Sequence, residues 1–343
     1  MFPTNLRSRF WAVVSLAVCL PVAAAKDADP KQVYTDPAKA DPDFAFQGEY
    51  AGELSIDGQP MKFGVQVVAL GNGDFNAVGY PGGLPGAGWT PPNLVRGTGA
   101  RRMSEGGDGK VVKLEGVDWG GVKRRGEIRD GAIVVLSDDG REAGRLPKVV
   151  RKSPTLGMKP PAGAIVVFDG AGLDGVVGGR LTDDKLLMEG VTSKAEFGDA
   201  TIHLEFCCPY QPADRGQARG NSGAYLQGRY EVQILDSFGL EGKDNECGGI
   251  YSLAAPAVNM ALPPLSWQTY DIDFTAPKFD GEKVVSRPRL TVRHNGVVIH
   301  EKAEVPKITP GGTSGKEGPK GPLHLQNHGN PVRFRNIWVL PKS

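Results

Sequence analysis

The sequence predicts an all-β protein of two domains. Its 343 residues exceed what one core usually organises, and its 48 glycines and 27 prolines supply turns at short intervals. Its apolar residues recur in short Val/Ile/Tyr-rich runs rather than with the 3.6-residue period of a helix. Lys plus Arg (40) nearly balance Asp plus Glu (39), and no basic stripe with interleaved aromatics is present. That argues against nucleic acid as a partner.

Residues 1–25 read as a secretory signal peptide: Arg7 and Arg9 precede the apolar run FWAVVSLAVCLPVAAA, which ends in small residues at Ala23–Ala25. The run is too short to span a membrane comfortably, so export to the periplasm, cell surface or medium is expected without a membrane span. Cys19 lacks the small residue wanted immediately before a lipidated cysteine. Residues 26–42, rich in Asp, Lys, Pro and Ala, read as a tether.

Residues 43–152 form the expected accessory domain, a small sandwich or barrel. GEYAGELSI, MKFGVQVVAL, DFNAVGY, VVKLEGV, RRGEIRDGAIVVLSD and GREAGRLPKVV are its strand candidates, separated by DG, GNGD and GGDGK turns. Trp89, in the loop YPGGLPGAGWTPPN, is expected to cap the core. The domain has no His and no catalytic constellation, so its expected role is docking on a glycan or a surface. Residues 153–163 read as an interdomain linker, and residues 164–341 as the second β domain.

Two stretches mimic phosphate-binding motifs. Gly170, Gly172 and Gly175 fit G-x-G-x-x-G, but the following VVGGRLTDDK does not open a helix, which the dinucleotide fingerprint requires. GGTSGKEG at 311–318 has the wrong spacing for a phosphate loop and reads as a flexible surface loop. Three cysteines follow the signal segment, Cys207, Cys208 and Cys247. Neighbours on a strand face opposite sides, so one bridge to Cys247 and three small buried hydrophobes are equal expectations.

All five histidines fall in the second domain. ATIHLEF puts His203 and Glu205 on one face, GRYEVQILD puts Glu231 and Gln233 on one face, and PLHLQNHG groups His324, Gln326 and His328. A sheet face lined by Glu, Gln and His both donates and accepts hydrogen bonds, which suits an array of sugar hydroxyls.

The segments NSGAYLQGRYEVQILDSFG, CGGIYSLAAPAVNMALPPLSWQTYDIDFTAP, LTVRHNGVVIHE and GPLHLQNHGNPVRFRNIWV occur in an order that resembles the 3-keto-disaccharide hydrolase family over about 161–341. The resemblance implies a concanavalin A-like jelly-roll sandwich acting on oxidised sugars outside the cytoplasm. Val176 stands where that family usually has Trp, and the first domain lies outside the resemblance.

A carbonyl at C3 of a glycoside acidifies the C2 hydrogen, so a modest base can start elimination at C1, with hydration completing a net hydrolysis. Glu231 is the expected base and His328 its acid/base partner. Asn221, Tyr225, Gln233, Gln326, His203, Glu205 and Arg229 are the expected substrate contacts, Arg229 alternatively anchoring a loop. Asp236 faces the other way in an unbroken strand. No cofactor is fixed by spacing, although a divalent metal held by Glu231 and His328 is a candidate. The alternative is a non-catalytic, lectin-like carbohydrate-binding module. EVQILD keeps the spacing of an E-x-D-x-x-E glucanase site, but Gln233 replaces its middle acid, which disfavours double displacement.

Overall fold

The computed structural model describes residues 32–342 apart from 57, 102–109, 119 and 138. The signal segment, Cys19 and residues 26–31 lie outside the described residues.

Eight strands make the first domain: β1 (Gly48–Ile56), β2 (Gln59–Gly71), β3 (Asp74–Pro81), β4 (Val95–Ala100), β5 (Val112–Val117), β6 (Lys123–Arg129), β7 (Ala132–Leu136) and β8 (Glu142–Val149). They pair in sequence order, and β8 returns to β1 with Glu49 opposite Val149, so the barrel is closed. Closure removes the unpaired strand edges that would invite aggregation. RRGEIRDGAIVVLSD is two strands, β6 and β7, reversed at Asp130 and Gly131, both at positive φ. Strand β4, VRGTGA, escapes the sequence reading because it lacks the β-branched density of its neighbours. Trp89 packs edge-on against Tyr80, with ring centroids 5.2 Å apart, and its Nε1 donates to Asn93 O.

Residues 32–42 are no free tether. Tyr34 and Tyr210 exchange two backbone hydrogen bonds of 2.9 Å, joining the start of the chain to the second domain. Asp36 and Asp41 cap the 3-10 turns Pro37–Lys39 and Pro42–Ala45, which carry Phe44 against Tyr210 at one end of the barrel.

The second domain contains β9 (Ile165–Phe168), β10 (Val176–Val177), β11 (Leu187–Met188), β12 (Val191–Phe197), β13 (Ala200–Cys207), β14 (Ser222–Leu226), β15 (Tyr230–Ile234), β16 (Gln268–Thr275), β17 (Lys278–Asp280), β18 (Lys283–Ser286), β19 (Arg289–His294), β20 (Val297–Glu304), β21 (Gly321–Leu325) and β22 (Arg333–Pro341). One sheet runs β10-β12-β21-β14-β15; the other runs β11-β22-β13-β16-β19-β20, with β9 also on β22. Ile202, Leu204 and Phe206 of one sheet and Ala224, Val232 and Leu325 of the other share a single buried core. Full burial of each large side chain contributes about 1.5–3 kcal/mol. The fold is the concanavalin A-like sandwich that the sequence leads one to expect.

The glycines at 170–175 lead into β10 rather than a helix. All three described cysteines are free and buried, so no bridge forms. Cys207 and Cys208 do face opposite ways: Cys208 belongs to the core, while Cys207 is on the other side of its sheet, and burial pushes its thiol up to about 12. Among the described residues no helix is long and apolar enough to cross a membrane.

Candidate active site

The β14–β15 hairpin builds the site. Gln227 and Gly228 at its tip both take positive φ (52° and 66°), within the tight three-residue loop between the paired Leu226 and Tyr230. The turn sets Tyr225 opposite Glu231 and Gly223 opposite Gln233. Ala224, Leu226, Val232 and Ile234 then fill the core, so Tyr225, Glu231 and Gln233 occupy the opposite face of the sheet. Strand β21 extends that face, with His324 opposite Tyr225 and, on its other side, opposite Thr192 of β12.

Glu231 is only 2% exposed, and no cation pairs with it among the described residues. Its Oε2 accepts the Tyr225 hydroxyl at 2.7 Å. Tyr225 Oη also lies 2.8 Å from Pro310 O, a second acceptor competing for its single hydrogen, and accepts Gln326 Nε2 (3.1 Å). Glu231 Oε1 lies over Gly223, where a Cβ would collide with it. Burial pushes the Glu231 carboxyl up to about 8, and the Tyr225 hydrogen bond only partly opposes that rise. The backbone holds the residue firmly: Glu231 N donates to Thr309 Oγ1 and its carbonyl accepts Tyr251 N.

Beyond Glu231 the face becomes an array of amides. Gln233 Nε2 donates to Gln217 Oε1 at 3.1 Å, and Asn221 Nδ2 donates to both the backbone carbonyl and the side chain of Gln217. Asn221 Oδ1 is buried with no partner among the described residues. Gln326 is tied in through its N–H to Gly223 O. Gln217, on the 3-10 turn Gly216–Ala218, was not legible in the sequence, since it lies outside any strand and no periodicity marks it. His324 meets Thr192 Oγ1 through Nδ1 at 3.0 Å, and burial depresses its pKa, which favours neutral imidazole.

Four expected residues are placed elsewhere. His203 and Glu205 do share a face, but it is the outer face of the other sheet, across the core from Glu231. There His203 Nδ1 donates to Asp271 at 2.6 Å, and Glu205 accepts Arg335 Nε at 2.7 Å and Gly157 N at 2.5 Å. The segment 153–158 covers them, so the linker is a docked strap. Ser153 and Thr155 bond Thr269, and the Met158 carbonyl accepts from Asn336 and Trp338. Burial would raise Glu205, but bonds from His203, Asn336, Arg335 and Gly157 bring it down to about 2. Burial would likewise depress His203, but Asp271 and Glu205 hold it above its ordinary value.

Arg229 anchors a loop: its guanidinium donates to the carbonyls of Lys316, Gln227 and Lys320. The 311–318 segment is thereby pinned over the site, Gly311 passing so near Tyr225 Oη that a Cβ would come within 2.6 Å. His328 is exposed and bonds nothing near Glu231, because the Asn327–Gly329 turn, closed by Gly329 N to Asn327 Oδ1, carries it away from the sheet. Asp236, at the far end of the hairpin, pairs with Arg219 at 2.6 Å at the junction with the barrel.

Among the described residues no three His, Cys, Asp or Glu side chains converge as a metal site. Glu231 lies on the sheet and His328 on an exposed turn beyond it. The arrangement offers one buried carboxyl of raised pKa, a phenol bonded to it, and a row of amides beside it, of which Gln217 and Gln326 are partly exposed.

A crystal structure of a "putative glycosyl hydrolase" from Parabacteroides distasonis ATCC 8503 is similar at 31% identity and TM-score 0.51, covering 61% of this chain and 97% of that one. Two others from the same organism, described in the same words, have 16% and 20% identity and TM-scores of 0.36 and 0.39. They cover 54% and 52% of this chain and 91% and 99% of theirs. No curated protein matches. The family model described as "3-keto-alpha-glucoside-1,2-lyase-like domain" matches residues 163–340, more than half of the chain and the whole of the sandwich that carries Glu231. The chain belongs to that family.

Proposed function

We propose that the protein is an exported carbohydrate-cleaving enzyme that opens 3-keto-glycosides by elimination and hydration, with Glu231 as the proton-transfer group. The observation that supports this reading best is a buried carboxyl with no cation partner and a pKa near 8, set in a face of amides and a phenol. A structural glutamate at such a position would be expected to pair with a cation.

In this reading the Glu231 carboxylate takes the C2 hydrogen, and the electron pair of that bond is delocalised onto the C3 oxygen. The enolate then expels the C1 substituent as a C1=C2 double bond forms. The proton gained by Glu231 balances the one the departing oxygen requires. Water then adds across C1=C2, returning hydrogen to C2 and placing hydroxyl on C1. Gln233, Asn221, Gln217 and Gln326 bind sugar hydroxyls, and Tyr225 orients the carboxyl.

The test is incubation of the purified chain with a 3-keto-glucoside and with its unoxidised parent. Release of the aglycone from the keto substrate alone, nearly abolished in Glu231→Gln, is the expected result. Saccharide binding with turnover of neither substrate would overturn it in favour of a binding module.

A further inference from the structure

Among the described residues the barrel is closely packed at one end. Tyr50, Val67, Phe75, Val112, Ile128 and Leu146 fill the half nearest the chain entry, where Phe46 closes edge-on against Phe75 with centroids 6.1 Å apart. In the other half the inward positions of four neighbouring strands are Gly79, Gly97, Gly116 and Gly126, which project nothing into the lumen. A cavity of about 290 Å³ results, walled by Leu54, Phe63, Val65, Leu114, Ile133 and Val135. It lies at the low end of the size range of small-molecule pockets. Closed barrels of eight strands are wide enough either to fill their interior with side chains or to hold one small ligand.

The chemistry of the walls selects the ligand. The lumen is aliphatic with one aromatic, which disfavours a sugar, whose hydroxyls would lose their water without finding partners. At the mouth Arg124 Nε and Nη2 donate to Asp118 Oδ2 at 2.9 and 2.7 Å, and Asp118 Oδ1 accepts the N–H groups of Gly120 and Val122. Among the described residues Arg124 and Asp118 thus neutralise each other, which leaves polar atoms at the rim and favours an uncharged ligand there. From this geometry we infer that the barrel binds one small, uncharged, predominantly apolar molecule, an aromatic ring system or a short alkyl chain, with any hydrogen-bonding end at the Arg124–Asp118 rim. The site is separate from Glu231 and does not depend on the reaction proposed for it.

The experiment titrates the full chain with the neutral fluorophore N-phenyl-1-naphthylamine and with its anionic relative 8-anilino-1-naphthalenesulfonate, with 1-decanol as competitor. Expected are saturable binding of the neutral probe at one per chain, displacement by decanol, and weaker binding of the sulfonate. Ala77→Phe and Val135→Phe, which fill the lumen from opposite walls, are each expected to weaken the neutral probe at least tenfold while keeping the far-ultraviolet circular dichroism and the sugar-cleaving rate. Hydrogen exchange on the unmodified chain supplies a readout independent of the variants: the probe should slow exchange in β4 and β5. No saturable binding, binding unchanged in folded filled variants, or unaltered exchange in β4 and β5 would each overturn the inference.

Discussion

Tyr225 and Glu231 face each other across the β14–β15 ladder, and the tyrosine hydroxyl donates to the carboxylate at 2.7 Å. It opposes the rise in the carboxyl's pKa, because a donor favours the charged form while burial disfavours it. The pair therefore sets the proton affinity of the site.

As a general base, Glu231 must be ionised to act. kcat/KM is expected to rise with pH and level off above about 8, where the carboxyl titrates. Glu231→Gln should lower turnover by about 10² to 10⁴. A pH–rate profile of both proteins checks this, and a profile flat between pH 6 and 9 would assign the proton transfer elsewhere.

Tyr225→Phe removes the donor that favours the carboxylate. The ascending limb of the profile should move to higher pH, with activity recovered in part under alkaline conditions. Loss of rate with an unmoved limb would mean that the phenol contacts substrate and does not tune Glu231.

The same raised pKa predicts an unusual stability profile. A carboxyl whose folded pKa lies above its unfolded value of 4.5 favours the folded state fully below that value, and the contribution fades as pH climbs toward about 8. Glu231→Gln, which imitates the protonated form, should melt with the parent chain at pH 4.5 and above it at pH 9. Each kcal/mol corresponds to about 2–4 °C for domains of 150–250 residues. Thermal melts at the two pH values decide the matter.

Gly223→Ala would drive a methyl into Glu231 Oε1. Displacing a reacting group by about 1 Å can cost about 10² in rate. kcat should fall by that order, whereas a variant with normal kcat would show that the carboxyl has room to move.

Glu49 is the opposite kind of buried glutamate. Arg151 grips both of its oxygens, at 2.6 and 2.5 Å, and Gln66 donates to it as well. Arg151→Met should cost about 3–5 kcal/mol by stranding the charge. Adding Glu49→Gln should restore most of it, while activity per folded molecule is unchanged. Denaturant melts of the single and double variants measure the coupling.

The face that carries Glu231 was legible because GRYEVQILD alternates with a period of two and its core side is unambiguous. Period alone does not say to which sheet a strand belongs. ATIHLEF alternates just as clearly, yet β13 pairs with β16 and β22, so His203 and Glu205 stand behind the core. His328 shares the parity of His324 and Gln326, but β21 ends at Leu325 and parity loses its meaning once the chain turns. Gln217 and the pinning of 311–318 by Arg229 depend on contacts between segments far apart in sequence, which no local pattern encodes.

The strap at 153–158 bears on how this protein can be divided. Excision at residue 163, where the family resemblance begins, would leave Glu205 without the Gly157 amide, Asp271 without the Thr155 hydroxyl, and Asn336 and Trp338 without the Met158 carbonyl. The sandwich is therefore not a freely portable module of this chain. The sheet opposite Glu231 is finished by residues that come from the way out of the barrel, so a shortened gene must begin ahead of Ser153 to encode a sandwich with that sheet's outer face intact.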